Sequence, residues 1–257
     1  MPGTRGLCAF CSARRNGLCA AMTAPEALRD LQRIRPNVRV LAPGDAAYHQ
    51  GDPSGACFHV LSGWLALHHD LPDGSRHVLK ILLPGDLFGY ESHEARQMRH
   101  GVIALTDASI CAVSAKRLAA LRARYRELNE RFIWMITRDQ LLSEMTIVTL
   151  AHGGATERVC HLLVELARRM RRHAELATTD SFRAPLTQSL IGAATGLTQI
   201  HVNRVLRRLR ERGVLRFQGG LVTILDAAAL TRLAGGAAGG DDAAMSLDWP
   251  RVEAARA

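Results

Sequence analysis

The sequence predicts an α+β protein in three parts: a strand-rich N-terminal barrel, one long helix, and a C-terminal set of short helices with a hairpin. Three observations carry this. From residue 38 to 114, Gly, Pro and Asp turn signals recur between short apolar runs, the pattern of an antiparallel barrel or sandwich. The stretch 126–150 contains neither Gly nor Pro. Beyond residue 186, two short helical patterns flank Gly196 and a Gly-Gly hairpin follows.

The chain has 257 residues, 47% of them hydrophobic and 22% charged, a balance that supports a buried core. Its formal charge of +9 and pI near 9.9 favour an anionic partner. Nucleic acid is the first candidate and an anionic membrane surface the second. The first twenty residues lack an apolar signal-peptide core, and no run of 18 apolar residues occurs. The expectation is a cytoplasmic chain without membrane spans, its thiols kept reduced. The six cysteines, at 8, 11, 19, 57, 111 and 160, then suggest metal, redox sensing or burial before a disulfide framework.

Residues 1–25 form a cysteine-rich segment, CAFCSARRNGLC holding three thiols within twelve residues. From these residues alone a metal, a disulfide and accident all stay open. A short helix is expected at 24–35, ended by Pro36, and the barrel domain runs over 26–123. Its punctuation is APGD, GDP, LPDG and LPGD, between runs such as CFHVLSGWLALHH and HVLKILL. The long helix occupies 124–152. Its apolar residues follow two stripes, Phe132, Ile136, Ile147 and Leu150 on one and Leu128, Met135, Leu142 and Met145 on the other. A helix apolar on two faces needs two partners, here the barrel and the same helix of a second copy. The expected dimer contacts are Phe132, Ile136, Gln140, Ser143, Ile147 and Leu150. His152-Gly153-Gly154 breaks the helix, a further helix runs from about Ala155 to His173, and 174–184 is read as a polar connection.

Within a third domain, 153–234, lies LTQSLIGAATGLTQIHVNRVLRRLRERGVLR. Thr187 can cap a first helix, Gly196 makes the turn, Thr198 caps a second helix and Gly213 ends it. That is a helix-turn-helix. Val202, Val205, Leu206 and Leu209 fall on the inner face of the second helix. Gln199, Ile200, His201, Asn203, Arg204, Arg207 and Arg208 fall on the outer face. Residues in the first turns can reach base edges in a major groove, and the later cations suit phosphates. The hairpin RFQGGLVTI makes a wing, and 235–257, rich in Gly, Ala and Asp, is expected to be a disordered tail.

Barrel, long helix and the ending HVNRVLRRLRERGVL together resemble the CRP/FNR family of bacterial transcription regulators, over roughly residues 26–234. The resemblance implies a cyclic-nucleotide-binding-like β jelly-roll barrel, a dimerisation helix and a winged helix-turn-helix. It implies a cytoplasmic homodimer that binds a palindromic double-stranded site, works with RNA polymerase, and is not an enzyme. FNR-type recognition helices carry a Glu and then Ser-Arg three residues later. Arg204 matches and can pair with a guanine, whereas Ile200 stands in place of the Glu and Asn203 in place of the Ser. The family's cyclic-phosphate Gly-Glu pair is interrupted in LFGYE at 87–91. FNR-type members also hold a 4Fe-4S cluster, by three N-terminal cysteines and one distant cysteine. Cys8, Cys11, Cys19 and Cys111 occupy the matching places, with seven residues between the second and third. The resemblance then implies oxygen or redox control of dimerisation and DNA binding through that cluster, with zinc or no metal as the alternative cofactor state. Cys57 and Cys160 read as buried thiols. Two alternatives remain: a family member without a cluster, answering to a small-molecule effector or to thiol oxidation, and, distantly, a CxxC thiol oxidoreductase. No thioredoxin-like βαβ pattern surrounds the CxxC.

Overall fold

The structure, a computed structural model, describes residues 11–34, 37–90, 96–171 and 180–235. Cys8 and the expected tail beyond Gly235 lie outside the described residues.

Two 3-10 turns, Ser12–Arg14 and Leu18–Ala21, precede α1 (Pro25–Arg33). Proline in the first turn of α1 costs no backbone hydrogen bond there. The barrel comprises β1 (Asn37–Leu41), β2 (Ala46–Tyr48), β3 (Ala56–Ser62), β4 (Leu65–Asp70), β5 (Arg76–Leu82), β6 (Leu87–Phe88), β7 (Gly101–Ala104) and β8 (Ala108–Ser114). They form two four-stranded sheets, β1-β8-β3-β6 and β2-β7-β4-β5, with antiparallel pairing throughout.

Alternation along the first sheet sorts its side chains. Phe58, Val60, Ala108 and Ile110 enter the barrel core, while Cys57, Cys111 and Val113 join a second core on the outer face. The barrel interior is filled by aromatic rings: Tyr48 and Phe58 lie 5.3 Å apart, and Phe58 stacks on Phe88 at 5.3 Å.

After α2 (Ala115–Arg124) comes α3 (Arg126–His152), 27 residues without a break, or about 40 Å. Then follow α4 (Ala155–Arg171), β9 (Ser181–Arg183), α5 (Gln188–Thr195), α6 (Gln199–Glu211), β10 (Leu215–Gln218), β11 (Leu221–Ile224) and α7 (Ala227–Leu233). β9 corrects the reading of 174–184 as connection only. Phe182 is buried and pairs with Val222, making a three-stranded sheet of order β10-β11-β9. A three-residue strand is too short to show a period of two.

The barrel and the C-terminal part share one core. Ala66, Val78 and Ile81 from the second sheet, with Leu83 just after β5, cluster with Val159, Leu163 and Leu166 of α4 and with Ile191 of α5. Among the described residues, no helix is long and apolar enough to cross a membrane.

Candidate nucleic-acid interface and cysteine-bearing segment

The helix-turn-helix forms as its caps dictate. The Thr187 hydroxyl accepts from the Leu190 N–H, and the Thr198 hydroxyl accepts from the His201 N–H. Gly196 closes the turn at φ 65°, a left-handed conformation that glycine adopts at no steric cost. Val202, Val205, Leu206 and Leu209 are buried beneath α6. Thr187, Thr198, Gln199, His201, Asn203, Arg204, Arg207 and Arg208 are all exposed. Asn203 donates from its amide nitrogen to the Gln188 side-chain oxygen at 3.3 Å, which brings in a residue the sequence reading passed over. Ile200 is 66% exposed among these polar groups. Beside α6, the β10–β11 hairpin turns at Gly219 (φ 56°) and Gly220 (φ 75°), a pair of positive φ values suited to a tight hairpin.

The second candidate site lies on the outer face of the first sheet. Cys111 in β8 pairs with His59 of β3 on one side and Val38 of β1 on the other. Directly opposed residues point to the same face, so Cys111 and His59 look out together. The His59 Nε2 accepts from the Leu18 N–H at 3.1 Å. The cysteine-bearing segment therefore lies over the face that carries Cys111. Cys19 and Cys111, both buried, belong to one cluster with Leu18, Met22, Leu128, Phe132 and Met135. Cys11 is half-buried, and none of the five described cysteines is in a disulfide. Among the described residues, no three His, Cys, Asp or Glu side chains converge as metal ligands; Cys8 lies outside that set.

Cys57 and Cys160 are buried, as the sequence reading has them. Burial pushes the Cys57 thiol up to about 11, against the opposing pull of Arg122, and burial pushes Cys160 up to about 12. Neither is a thiolate near neutral pH. Cys57 nevertheless shares the outer-face cluster with Cys19 and Cys111.

Along α3 the expected dimer residues divide. Phe132 is buried within its own chain, with the Arg122 guanidinium 3.7 Å above its ring, so it has little surface left for a second copy. Ile136 and Leu150 are half-buried, and Gln140, Ser143 and Ile147 are exposed. The exposed apolar residues are Ile133, Leu141, Ile147 and Val148. Of these, Ile147 is among the expected dimer residues, while Ile133, Leu141 and Val148 lie outside the two stripes read from the sequence.

Tyr90, the residue that interrupts the Gly-Glu pair, points away from the barrel interior; its hydroxyl donates to Asp139 of α3 at 3.4 Å. Asp139 also pairs with Lys80 at 2.7 Å. Deeper, Asp86 pairs with Arg169 of α4 and accepts from the Leu83 N–H at 2.8 Å. Burial alone would raise the Asp86 carboxyl; Arg169, with Lys80 and Arg138 further off, holds it well below the usual carboxylate range.

Comparison with known proteins bears on both sites. A cyclic nucleotide-binding domain matches residues 38–125, and a Crp-like helix-turn-helix domain matches residues 157–233. The transcriptional activator protein Anr of Pseudomonas aeruginosa is 29% identical over 229 residues, 89% of this chain and 93% of that protein. The anaerobic regulatory protein of Pasteurella multocida is 27% identical over 229 residues, 89% of this chain and 82% of that protein. The structure of FixK2 from Bradyrhizobium japonicum superposes with a TM-score of 0.69 at 24% identity, covering 77% of this chain and 97% of that one, a likeness of fold.

Proposed function

The chain belongs to the CRP/FNR family of DNA-binding transcription regulators, and on that premise we propose that it is an oxygen- or redox-controlled member whose signal enters through its N-terminal cysteines. The observation that carries this reading is the register at Cys111. It turns that thiol to the face covered by the segment bearing Cys11 and Cys19. Cys8, Cys11, Cys19 and Cys111 are the four proposed ligands of a 4Fe-4S cluster. An all-thiolate donor set fits such a cluster. The three described thiols do not converge as they stand, so loading requires Cys11, which lies outside the core that Cys19 and Cys111 share, to close on those two. When bound, the cluster supplies oxygen-labile redox chemistry. The chain's own part is to shield two of the thiols from water and to join the segment to α3 through a common core. The name of the Pasteurella relative, an anaerobic regulatory protein, agrees with an oxygen signal.

The competing reading, a small-molecule effector inside the barrel, meets an interior occupied by Tyr48, Phe58 and Phe88. Tyr90, in the expected phosphate turn, is engaged with α3.

We further propose that the regulator acts as a homodimer through Ile133, Gln140, Leu141, Ile147 and Val148, on a palindromic site read by α6 and in contact with RNA polymerase. Arg204 is the guanine-reading residue, with Gln199, His201 and Asn203 beside it, and Thr187, Arg207 and Arg208 bind the backbone. The test is anaerobic purification with iron and sulfide analysis. Wild-type chain should carry both and lose its visible absorption in air; Cys111→Ser should abolish the colour and Cys57→Ser should keep it. Colourless anaerobic wild type would overturn the cluster, and equal effects of the two substitutions would overturn the ligand set.

A further inference from the structure

Between the second and third cysteines, the peptide units of residues 16–18 are gripped from two sides. From the barrel, His59, only 1% exposed, accepts the Leu18 N–H through Nε2 at 3.1 Å. From α3, Arg131, only 3% exposed, donates from Nη2 to the Asn16 carbonyl at 2.9 Å and from Nε to the Gly17 carbonyl at 3.3 Å. The guanidinium also lies 4.2 Å over the Trp134 ring. Gly17 sits in the grip because nothing larger fits: a Cβ there would collide with the His59 imidazole. Its backbone is extended (φ −94°, ψ −173°), so the demand is for space and not for a glycine-only conformation.

A buried guanidinium is stable only while its N–H groups find acceptors. Here two of those acceptors are main-chain carbonyls of the cysteine-bearing segment, reached across more than a hundred residues of sequence. If the segment moves, Arg131 must find other acceptors or turn towards water. Arg131 is rooted on α3 two residues before Ile133, where the exposed apolar face begins. We propose that Arg131, braced by His59, is a positioning residue that reads the conformation of residues 16–18 and sets the presentation of α3 to its partner copy. This rests on the reading that the cysteines hold an oxygen-labile group, because that group is what rearranges the segment.

The test uses full-length chain purified without oxygen, as wild type, Arg131→Met and Arg131→Lys. Iron and sulfide per chain are measured first, then the monomer–dimer equilibrium by sedimentation, before and after air. Wild type should load and lose dimer in air. Arg131→Met should load equally, yet associate about tenfold more weakly without oxygen and change little on exposure. Arg131→Lys, which keeps a cation able to reach one carbonyl, should fall between. A methionine variant that loads and switches like wild type would overturn the clamp, as would one that loses iron in proportion to dimer. If wild type itself carries no iron, the cluster reading fails separately. Hydrogen exchange along residues 131–148 of wild type and Arg131→Met then decides the clamp: faster exchange in the variant supports it, and equal exchange overturns it.

Discussion

Asp86→Ala tests the junction between the barrel and the DNA-binding part. The Asp86 carboxylate is 7% exposed, lies in the turn before β6, and pairs with Arg169 on α4. Arg169 is equally secluded; its Nη1 donates to the Ile81 carbonyl and to Glu165, both at 2.8 Å. Removing one partner of a buried pair costs about 3–5 kcal/mol, because the other charge stays buried. Glu165 and the Ile81 carbonyl still serve Arg169, which argues for the low end, about 3 kcal/mol. The Leu83 N–H also loses its acceptor, adding about 1 kcal/mol. A total near 4 kcal/mol is a large share of an ordinary stability of about 5–15 kcal/mol. With a urea slope near 3 kcal/mol/M, the midpoint should fall by about 1.3 M. Tryptophan fluorescence in urea, at one fixed protein concentration because dimers unfold by mass action, reads it. Arg169→Met should cost as much, and the double variant much less than the sum. The sign with pH follows from a folded carboxyl held below its unfolded value near 3.9. The pair's contribution is present above about pH 4 and is lost as pH falls from there, so wild type and Asp86→Ala should converge in acid. A single-variant loss below about 1 kcal/mol, or strict additivity, would refute the reasoning.

The remaining expectations concern the recognition helix and a buried imidazole. On the proposed docking, Ile200, exposed on α6, packs on a thymine methyl. Replacing the contacted thymine by uracil should then weaken wild-type binding about fourfold, the worth of one buried methyl at about 0.8 kcal/mol, and leave Ile200→Ala unchanged. Arg204→Ala should flatten discrimination at one base pair as well as weaken binding; a uniform loss over all sequences in a binding-site selection would make it a phosphate contact. His161 is 5% exposed and its imidazole pKa is lowered by burial, Glu165 pulling the other way. It binds a proton more readily unfolded than folded, so stability should drop as pH falls below about 6.5, and His161→Gln should flatten that slope in thermal melts taken from pH 8 to 5.

The parts of this chain that were readable are those whose signals are local. Caps, turn glycine and inner apolar spacing stand within thirty residues of one another and fixed the helix-turn-helix. Pro and Gly punctuation located the strands, but not which of them pair. The partition of β3 into Phe58 and Val60 inside and Cys57 and His59 outside depends on that pairing. The two residues that hold the cysteine-bearing segment, His59 and Arg131, carried no signal at all. Histidine in an apolar run and arginine on a long helix are ordinary until the fold brings both to the backbone of residues 16–18. Phe132 poses the opposite difficulty. Its stripe was seen, but a helix apolar on two sides does not say which side meets its own chain, and burial beneath Arg122 assigns Phe132 inward.

The length of α3 has a mechanical meaning. Its first third, Leu128 to Met135, packs in the cluster that contains Cys19 and Cys111. Its middle is tied to the barrel, Asp139 to Lys80 and Tyr90. Near its end, Thr146 approaches His161 of α4 at 3.4 Å. Beyond, at Gly153, the carbonyl accepts from the Arg158 Nε at 2.9 Å, while the Arg158 Nη1 donates to the Thr195 carbonyl at 3.4 Å. Thr195 is the last residue of α5, immediately before the Gly196 turn that sets α6. The break at Gly153-Gly154 is therefore not a loose joint. One guanidinium spans it, joining the end of α3 to the carbonyl from which the recognition helix is angled. A rod of this kind, uninterrupted by Gly or Pro and with hydrogen bonds at each station, can carry a small displacement from the cysteine face to the DNA-reading helix without local unfolding. A kinked or glycine-broken helix would absorb that displacement instead.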